Sequence, residues 1–323
     1  MLRNRRGARC RWAAGVLLAL VLTGCAAQRA APTSDTAKPV PASKSAPATK
    51  PSRAASPARS TASALPIGVY APDAVSSWSP VAAFGEQAGQ PVRYVLAYVG
   101  PGEPFPAMLA QQAAAHGAEV VLQLEPTMSM AQVAAGGDDQ YLENLAAEIG
   151  DSGYPVIVSW AAEANGNWYA YSEPQTPVAQ YRAAWAHVMV VFRGARNITW
   201  MDTLNRTYVG AAPTSEYVIP GVDMYGIDAY YSSADDTFDT VILPTIEQIR
   251  AVTDKPLLIN ETGIGQVNDQ VRSIPGLIRG ALKYRLAGLI YFNENQGTGT
   301  YHQNWALTRD GMAALRSSLR SAR

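Results

Sequence analysis

Two glutamates follow apolar, strand-like runs of this 323-residue chain. Glu163 comes shortly after Pro155–Trp160, and Glu261 comes shortly after Pro256–Ile259. Two carboxyl groups at the same edge of a sheet can together cleave a glycosidic bond, because one protonates the leaving oxygen while the other attacks or stabilises the anomeric carbon. We therefore take Glu163 and Glu261 as the candidate catalytic pair. A separation of about 5 to 5.5 Å would imply retention through a covalent intermediate.

The segment after Glu163 combines amides, a glycine turn and aromatic rings: Asn165, Gly166, Asn167, Trp168, Tyr169 and Tyr171. Aromatic faces stack on the apolar faces of sugar rings, while amides bond their hydroxyl groups. We take Asn165, Trp168 and Tyr169 as candidate substrate-binding residues. A cluster of core or interface aromatics is the alternative, which the dense polar interleaving disfavours.

Three further glutamates, Glu103, Glu125 and Glu294, also follow strand-like runs, but without such neighbours. We expect Glu125 to be a rim residue with a structural hydrogen bond. The three histidines have no partner at metal-ligand spacing, and no serine lies in a Gly-x-Ser-x-Gly motif. We therefore expect neither a metal nor a cofactor.

Short apolar runs recur eight times after residue 65. They are Ile67–Tyr70, Val92–Tyr98, Ala118–Leu124, Pro155–Trp160, Ile198–Met201, Val222–Ile227, Pro256–Ile259 and Ala287–Phe292. Helical periodicity separates most of them, at Pro106–His116, Tyr141–Gly150, Val178–Phe192, Phe238–Val252 and Pro275–Tyr284. This alternation predicts an α/β fold, a single (β/α)8 TIM barrel over residues 65–323, which matches the typical size of about 250 residues. The alternative, an open doubly wound sheet, normally carries a glycine-rich phosphate loop after its first strand, and none follows Ile67–Tyr70.

The N-terminus reads as a secretory signal peptide over residues 1–24. Five arginines precede an apolar run, Trp12–Leu22, that is too short to span a bilayer. The ending Leu22-Thr23-Gly24-Cys25 resembles the lipobox of bacterial lipoproteins. That resemblance implies that Cys25 begins the mature protein and carries the lipid anchor, which places the protein at the membrane of the cell envelope. An ordinary signal peptide with a chance cysteine is the alternative.

Residues 25–64 are almost entirely Ala, Pro, Ser, Thr, Lys and Arg, and we expect a disordered tether there. The chain has 26 basic and 26 acidic residues, a net charge of zero that argues against a nucleic-acid binder. The zero is an average, since the part from Leu65 onward holds 15 basic and 25 acidic residues. An acidic barrel favours an uncharged polysaccharide or oligosaccharide as its partner. We expect a monomer.

Taken together, these motifs resemble glycoside hydrolase family 26, which includes β-mannanases. The family's fourth-strand pattern is matched by Glu163, Asn165-Gly166, Trp168 and Tyr169, and its seventh-strand pattern by Lys255–Gly263. Val222–Tyr230 and Tyr291–Asn293 followed by Trp305 resemble its sixth and last strands. The resemblance implies a retaining, endo-acting β-glycan hydrolase with Glu163 as general acid/base and Glu261 as nucleophile. It also implies that Tyr230 positions Glu261 and that Trp168 and Trp305 contact the sugar.

One position departs from the family pattern. A histidine usually precedes the acid/base glutamate and helps to hold the central sugar, whereas this chain has Ala162. Mannan, mixed-linkage glucan and xylan therefore stay open as substrates. A cell-surface lipoprotein that binds glycans without efficient turnover is the alternative function.

Overall fold

The computed structural model describes residues 64–172, 175–208, 212–296 and 303–322. The predicted signal peptide, Cys25 and the tether up to residue 63 lie outside these ranges. Eight parallel strands form one closed sheet in sequence order, and the last strand closes against the first, with Ile67 opposite Leu289 and Tyr70 opposite Phe292. The predicted (β/α)8 barrel is confirmed.

The barrel strands are β1 (Ile67–Tyr70), β2 (Val92–Val99), β3 (Glu119–Leu124), β4 (Val156–Trp160), β5 (Ile198–Asn205), β6 (Met224–Asp228), β7 (Leu257–Thr262) and β8 (Gly288–Phe292). A short antiparallel ribbon follows, made of β9 (Asn295–Gln296) and β10 (Gln303–Asn304). All eight predicted strands are present, most within two residues of the predicted bounds.

The helices are α1 (Ser79–Ala88), α2 (Ala107–Ala115), α3 (Met130–Ala134), α4 (Asp139–Ser152), α5 (Val178–Val191), α6 (Thr214–Tyr217), α7 (Phe238–Val241), α8 (Leu243–Arg250), α9 (Gln270–Lys283) and α10 (Arg309–Ser321). Across the described ranges, none of them is long and apolar enough to cross a membrane.

One layer of apolar side chains fills the inside of the barrel: Leu96, Val121, Ile157, Met201, Met224, Leu258 and Ile290, one from each strand after the first. The first strand contributes Gly68 instead. A Cβ at that position would lie 2.7 Å from Tyr94 Cβ and 2.8 Å from Ile290 Cγ1, so these larger side chains occupy its space. The bulk of the core lies between the sheet and the surrounding helices.

Two predicted helices were wrong in their bounds. Phe238–Val252 is split into α7 and α8, because Pro244 sits in the first turn of α8 and cannot donate a backbone hydrogen bond. The helix predicted from Pro275 begins at Gln270 instead, where the Asp269 side chain accepts from Arg272 N as an N-cap.

Strand β5 is longer than its predicted apolar run, Ile198–Met201. It continues to Asn205 because Asp202 finds buried partners: Tyr181 donates its hydroxyl to Oδ1 at 3.1 Å and Ile219 N donates to Oδ2 at 2.9 Å. These bonds satisfy a carboxyl group that is fully buried. The Asp202 carboxyl therefore lies between strand β5 and helix α5.

Candidate active site

A cavity of about 600 Å³ opens among residues that follow the carboxyl ends of the barrel strands. Its lining contains both candidate catalytic glutamates and a set of aromatic and amide side chains: Tyr70, Tyr98, Gln123, Glu163, Trp168, Tyr169, Asn205, Tyr230, Glu261, Phe292, Gln296, Gln303 and Trp305. The mouth at this end of the sheet is where the loops of such barrels build active sites. Six of the seven residues predicted for catalysis or substrate binding line it.

Glu261 lies near the end of strand β7, where the register shifts against both neighbouring strands. Ala229 N donates to its backbone oxygen at 2.9 Å. Its side chain, 7% exposed, accepts three hydrogen bonds from three other parts of the barrel. Tyr98 OH donates to Oε1 at 2.5 Å, Gln123 Nε2 donates to the same oxygen, and Tyr230 OH donates to Oε2 at 2.6 Å.

These donors oppose the effect of burial on Glu261. Burial raises the pKa of its carboxyl group above the ordinary value, while the hydrogen bonds from Tyr230, Tyr98 and Gln123 lower it. Donors that bond a carboxylate stabilise its charged form. The three contacts therefore fix the orientation of the Glu261 side chain and favour its charged form. Tyr230 occupies the positioning place that the family resemblance implies.

Glu163 is held in a different way, in the loop after β4. Its φ is +60°, a left-handed conformation that is uncommon for residues other than glycine. Glu163 N donates to Thr203 O at 2.8 Å, Gly166 N donates to Glu163 O at 2.8 Å, and Ser172 Oγ donates to the same oxygen. Strained conformations of this kind persist where the surroundings determine them several times over, and they cluster at functional sites.

The two residues before Glu163 are also fixed by buried hydroxyl groups. Ala161 has φ +49°, its N–H donates to Leu124 O at 3.0 Å, and Tyr181 OH donates to its oxygen at 3.4 Å. Tyr171 OH donates to Ala162 O at 3.1 Å. The chain thus turns sharply out of β4 and points the Glu163 side chain into the cavity. Tyr171 supports this turn and is absent from the cavity lining.

The side chain of Glu163 is half-buried and has one donor, Trp168 Nε1, at 3.0 Å from Oε2. Burial and the charge of Glu261 together raise the pKa of Glu163 to about 8, against the opposing effect of the Trp168 bond. A carboxyl group with this pKa keeps its proton near neutral pH. The charge of Glu261 thus favours the protonated form of Glu163, and acid and nucleophile roles require such a difference between two carboxyl groups.

Aromatic rings form the walls of the cavity. Trp168 is 47% exposed at the mouth, and its indole lies over Gly166, where a Cβ would fall 2.5 Å from the ring. Trp305 packs against Tyr230 with ring centroids 4.6 Å apart. Aromatic faces with polar edges suit a sugar ring.

Asn165 is the one predicted substrate-binding residue that does not line the cavity. It is fully buried and lies outside the cavity lining. Its Nδ2 donates to Asn205 O at 2.8 Å and its Oδ1 accepts from Asn205 N at 2.8 Å. Both ends of the amide are used to bind the end of β5, which places Asn205 in the cavity in its stead.

Several lining residues were not predicted from the sequence, among them Tyr98 and Gln123. Each is the penultimate residue of its strand, and Gln123 is a polar side chain within the apolar stretch from Val120 to Leu124. That interruption was the available signal. Glu125 is exposed and lies outside the cavity, and no side-chain hydrogen bond of the predicted structural kind is found for it among the described residues. Glu103 and Glu294 also lie outside the lining.

Within the described ranges, no group of three or more His, Cys, Asp or Glu side chains is placed to hold a metal ion. His187 pairs instead with Asp139 at 2.6 Å, and His116 stacks on Trp78. His302 lies outside the described residues.

Comparison with known proteins gives one significant relative by sequence. No protein-family model matches the chain. Endoglucanase H of Acetivibrio thermocellus is 25% identical over 210 residues, which is 57% of this chain and 22% of that protein. The match thus spans about a fifth of that relative's length.

Solved structures resemble the chain over most of its barrel. An endo-β-1,4-mannanase of glycoside hydrolase family 26 from Bacillus sp. JAMB-750 has a TM-score of 0.59 at 14% identity, over 80% of this chain and 86% of that one. A family 26 β-mannanase from Bacteroides ovatus has a TM-score of 0.60 at 16% identity, over 80% and 89%. An endo-β-1,4-mannanase from Cellulomonas fimi gives 0.62 at 15% identity, over 78% and 70%. The chain shares the fold of these enzymes.

Proposed function

We propose that this protein is a retaining, endo-acting β-glycan hydrolase of the family 26 type. The observation that carries the proposal is the pair of glutamates that face one cavity in opposite electrostatic environments: Glu261 accepts three donors, while Glu163 is pushed towards its neutral form. The fold shared with family 26 mannanases and the sequence match to an endoglucanase support the same chemistry.

The proposed first step uses both carboxyl groups at once. Glu163 gives its proton to the glycosidic oxygen while a carboxylate oxygen of Glu261 attacks the anomeric carbon, which breaks the glycosidic bond and forms a glycosyl ester. Tyr98, Gln123 and Tyr230 hold the attacking carboxylate in place before the step.

The second step reverses the proton flow. The charge of Glu261 is absent from the ester, so one of the causes that raise the pKa of Glu163 disappears. Glu163 then takes a proton from an incoming water, whose oxygen attacks the anomeric carbon and releases Glu261 as a carboxylate. The sugar keeps its original anomeric configuration.

The proposed substrate is a neutral glycan. Apart from the two glutamates, the described lining consists of phenol, indole, phenyl and amide side chains, without lysine or arginine. Such groups bond hydroxyls and cover sugar faces, whereas an anionic glycan would meet two carboxyl groups without a cation. Mannan and β-glucan are the first candidates, because the relatives named above are mannanases and an endoglucanase.

The test is release of reducing ends from a panel of mannan, mixed-linkage glucan and xylan, measured beside affinity for each polymer. Hydrolysis of one polymer, with retention seen by proton NMR of the first product, supports the proposal. Tight binding without release would instead identify a non-catalytic glycan-binding lipoprotein. A protein that neither binds nor cleaves any of these neutral glycans would contradict both the hydrolase and the glycan-binding function.

We also propose that the protein is a monomeric lipoprotein anchored through Cys25 at the cell envelope. The lipobox-like ending at residues 22–25 supports this assignment. A triacylated cysteine carries enough apolar chain for stable membrane attachment. Palmitate labelling that disappears in Cys25→Ser is expected, together with accumulation of the precursor under globomycin. A freely secreted, unlabelled product would contradict the anchor.

A further inference from the structure

A third carboxyl group lies beside the two glutamates and has no role in the steps above. Asp228 ends strand β6, is fully buried, and stands opposite Glu261 in the register between β6 and β7. Asn260, the residue before Glu261, donates Nδ2–H to Asp228 Oδ1 at 2.9 Å. Asp228 is absent from the cavity lining, so a bound glycan would not touch it.

The pair formed by Asp228 and Asn260 leaves two oxygens without partners. Asp228 Oδ2 and Asn260 Oδ1 are both buried, and neither has a hydrogen-bond partner in the described part of the chain. If Asp228 is a carboxylate, both atoms are acceptors and both stay unsatisfied, which buried polar groups rarely do. A proton on Oδ2 turns that atom into a donor, and one bond then satisfies both atoms.

The surrounding charges favour the same state. The titratable groups that face Asp228 are Glu261, Glu163, Tyr98, Tyr230 and Tyr171, and none of them is basic. Burial and the charges of Glu261 and Glu163 raise the pKa of Asp228 well above its ordinary range, opposed by the bond from Asn260 and by the nearby amide of Gln123, whose hydrogen bond goes to Glu261. Two neighbouring buried carboxyl groups do not readily ionise together, and Glu261 has the larger share of donors.

We propose that Asp228 is a neutral carboxylic acid that donates Oδ2–H to Asn260 Oδ1 and accepts from Asn260 Nδ2, in a two-bond acid–amide pair. The pair fixes the residue next to Glu261 without placing a second negative charge beside it. Asp228 is thus a positioning residue that keeps the charge of this side of the cavity on Glu261. This inference rests on the proposed function of the same site. Its first test nevertheless needs no substrate.

That test is the infrared difference spectrum between the full chain and Asp228→Asn at pH 9. We expect the variant to lose the carbonyl band of a protonated acid. The matched control is Asp202→Asn, another fully buried carboxyl, with a pKa raised to about 7 by burial. At pH 9 the control removes carboxylate bands instead. Loss of carboxylate bands from Asp228→Asn as well would overturn the proposal.

The second test is the pH dependence of kcat/KM. Asparagine at position 228 can rebuild a two-bond pair with Asn260, so we expect both limbs of the profile to stay where they are. If Asp228 were charged, its neutralisation would lower the pKa of both glutamates and move both limbs down by about one unit or more. If the chain hydrolyses no glycan, the proposed function fails, while the infrared result still decides the state of Asp228.

Discussion

Glu261 and Glu163 face the same cavity from opposite kinds of structure. Glu261 is part of strand β7, and its carboxylate accepts from three side chains on separate barrel elements. Glu163 lies in a strained loop and has one side-chain donor, Trp168. On the strand side, at Glu261, three donors stabilise a negative charge. On the loop side, at Glu163, only one donor does so. Since both residues are glutamates in one cavity, the number of donors is what distinguishes the proposed acid from the proposed nucleophile.

The largest expected effect comes from deleting the strand-side carboxyl group. Glu261→Ala removes the proposed nucleophile and should lower kcat by about 10⁴-fold or more, as removal of other catalytic nucleophiles does. The measurement is reducing-end release on the polymer that the native protein cleaves. Glu125→Ala is the control, because Glu125 is exposed outside the cavity and should leave kcat unchanged. Wild-type turnover by Glu261→Ala would remove it from its role.

Deleting the loop-side carboxyl group should have a smaller and more selective effect. Glu163→Ala removes general acid/base catalysis, which is worth about 10² to 10⁴-fold. The loss should shrink on aryl glycosides with a good leaving group, because their departure needs little protonation. Azide should restore turnover on those substrates by taking the place of the activated water. An equal loss on all substrates, without azide rescue, would contradict the assignment.

Removing one strand-side donor tests whether the donors set the charge. Tyr98→Phe and Tyr230→Phe each delete a bond that lowers the pKa of Glu261. The nucleophile must be ionised, so a higher pKa moves the acid limb of kcat/KM to higher pH, by about one unit. Tyr94→Phe is the control on the same strand, since the Tyr94 hydroxyl bonds Ala287 O instead. Unmoved acid limbs in both variants would show that the donors only position the side chain.

The smallest expected effect concerns the one loop-side donor. Gly166→Ala would place a Cβ 2.5 Å from the Trp168 ring and so displace the indole from Glu163. Loss of that bond raises the pKa of Glu163 and moves the alkaline limb up by a few tenths of a unit, while KM rises with the loss of the aromatic wall. Gly194→Ala, in open space, is the control. An unchanged KM would show that Trp168 does not contact substrate.

The strand side was the easier part to predict from sequence. Alternation of apolar runs and helical periodicity predicted the barrel, and the end of each strand then predicted where Glu163 and Glu261 lie. The donors on Glu261 were mostly missed, because Tyr98 and Gln123 reach it across strands far apart in the chain. The register between strands depends on how the barrel closes, so it cannot be predicted from a single sequence.

For the loop around Glu163, the sequence predicted which types of side chain line the cavity, but the prediction was wrong for one residue. Trp168 and Tyr169 line the cavity as their types suggested, but Asn165, with the same polar chemistry, turns inward to bind the backbone of Asn205. The sequence does not distinguish an asparagine that bonds the backbone of a buried strand end from one whose amide is free to bind a sugar. The difference is set by backbone turns such as the left-handed conformation of Glu163.

The contrast between the two carboxyl groups rests on the pKa of Glu163, which can be measured without substrate. We would follow the ¹³C NMR shift of its labelled carboxyl carbon across pH, assigned by comparison with Glu163→Gln, in the wild-type chain and in Glu261→Gln. We expect a midpoint at about 8 in the wild type. In Glu261→Gln the midpoint should fall by about a unit, because the neighbouring charge is gone. A midpoint near the ordinary value for glutamate in both proteins would contradict this explanation of the site.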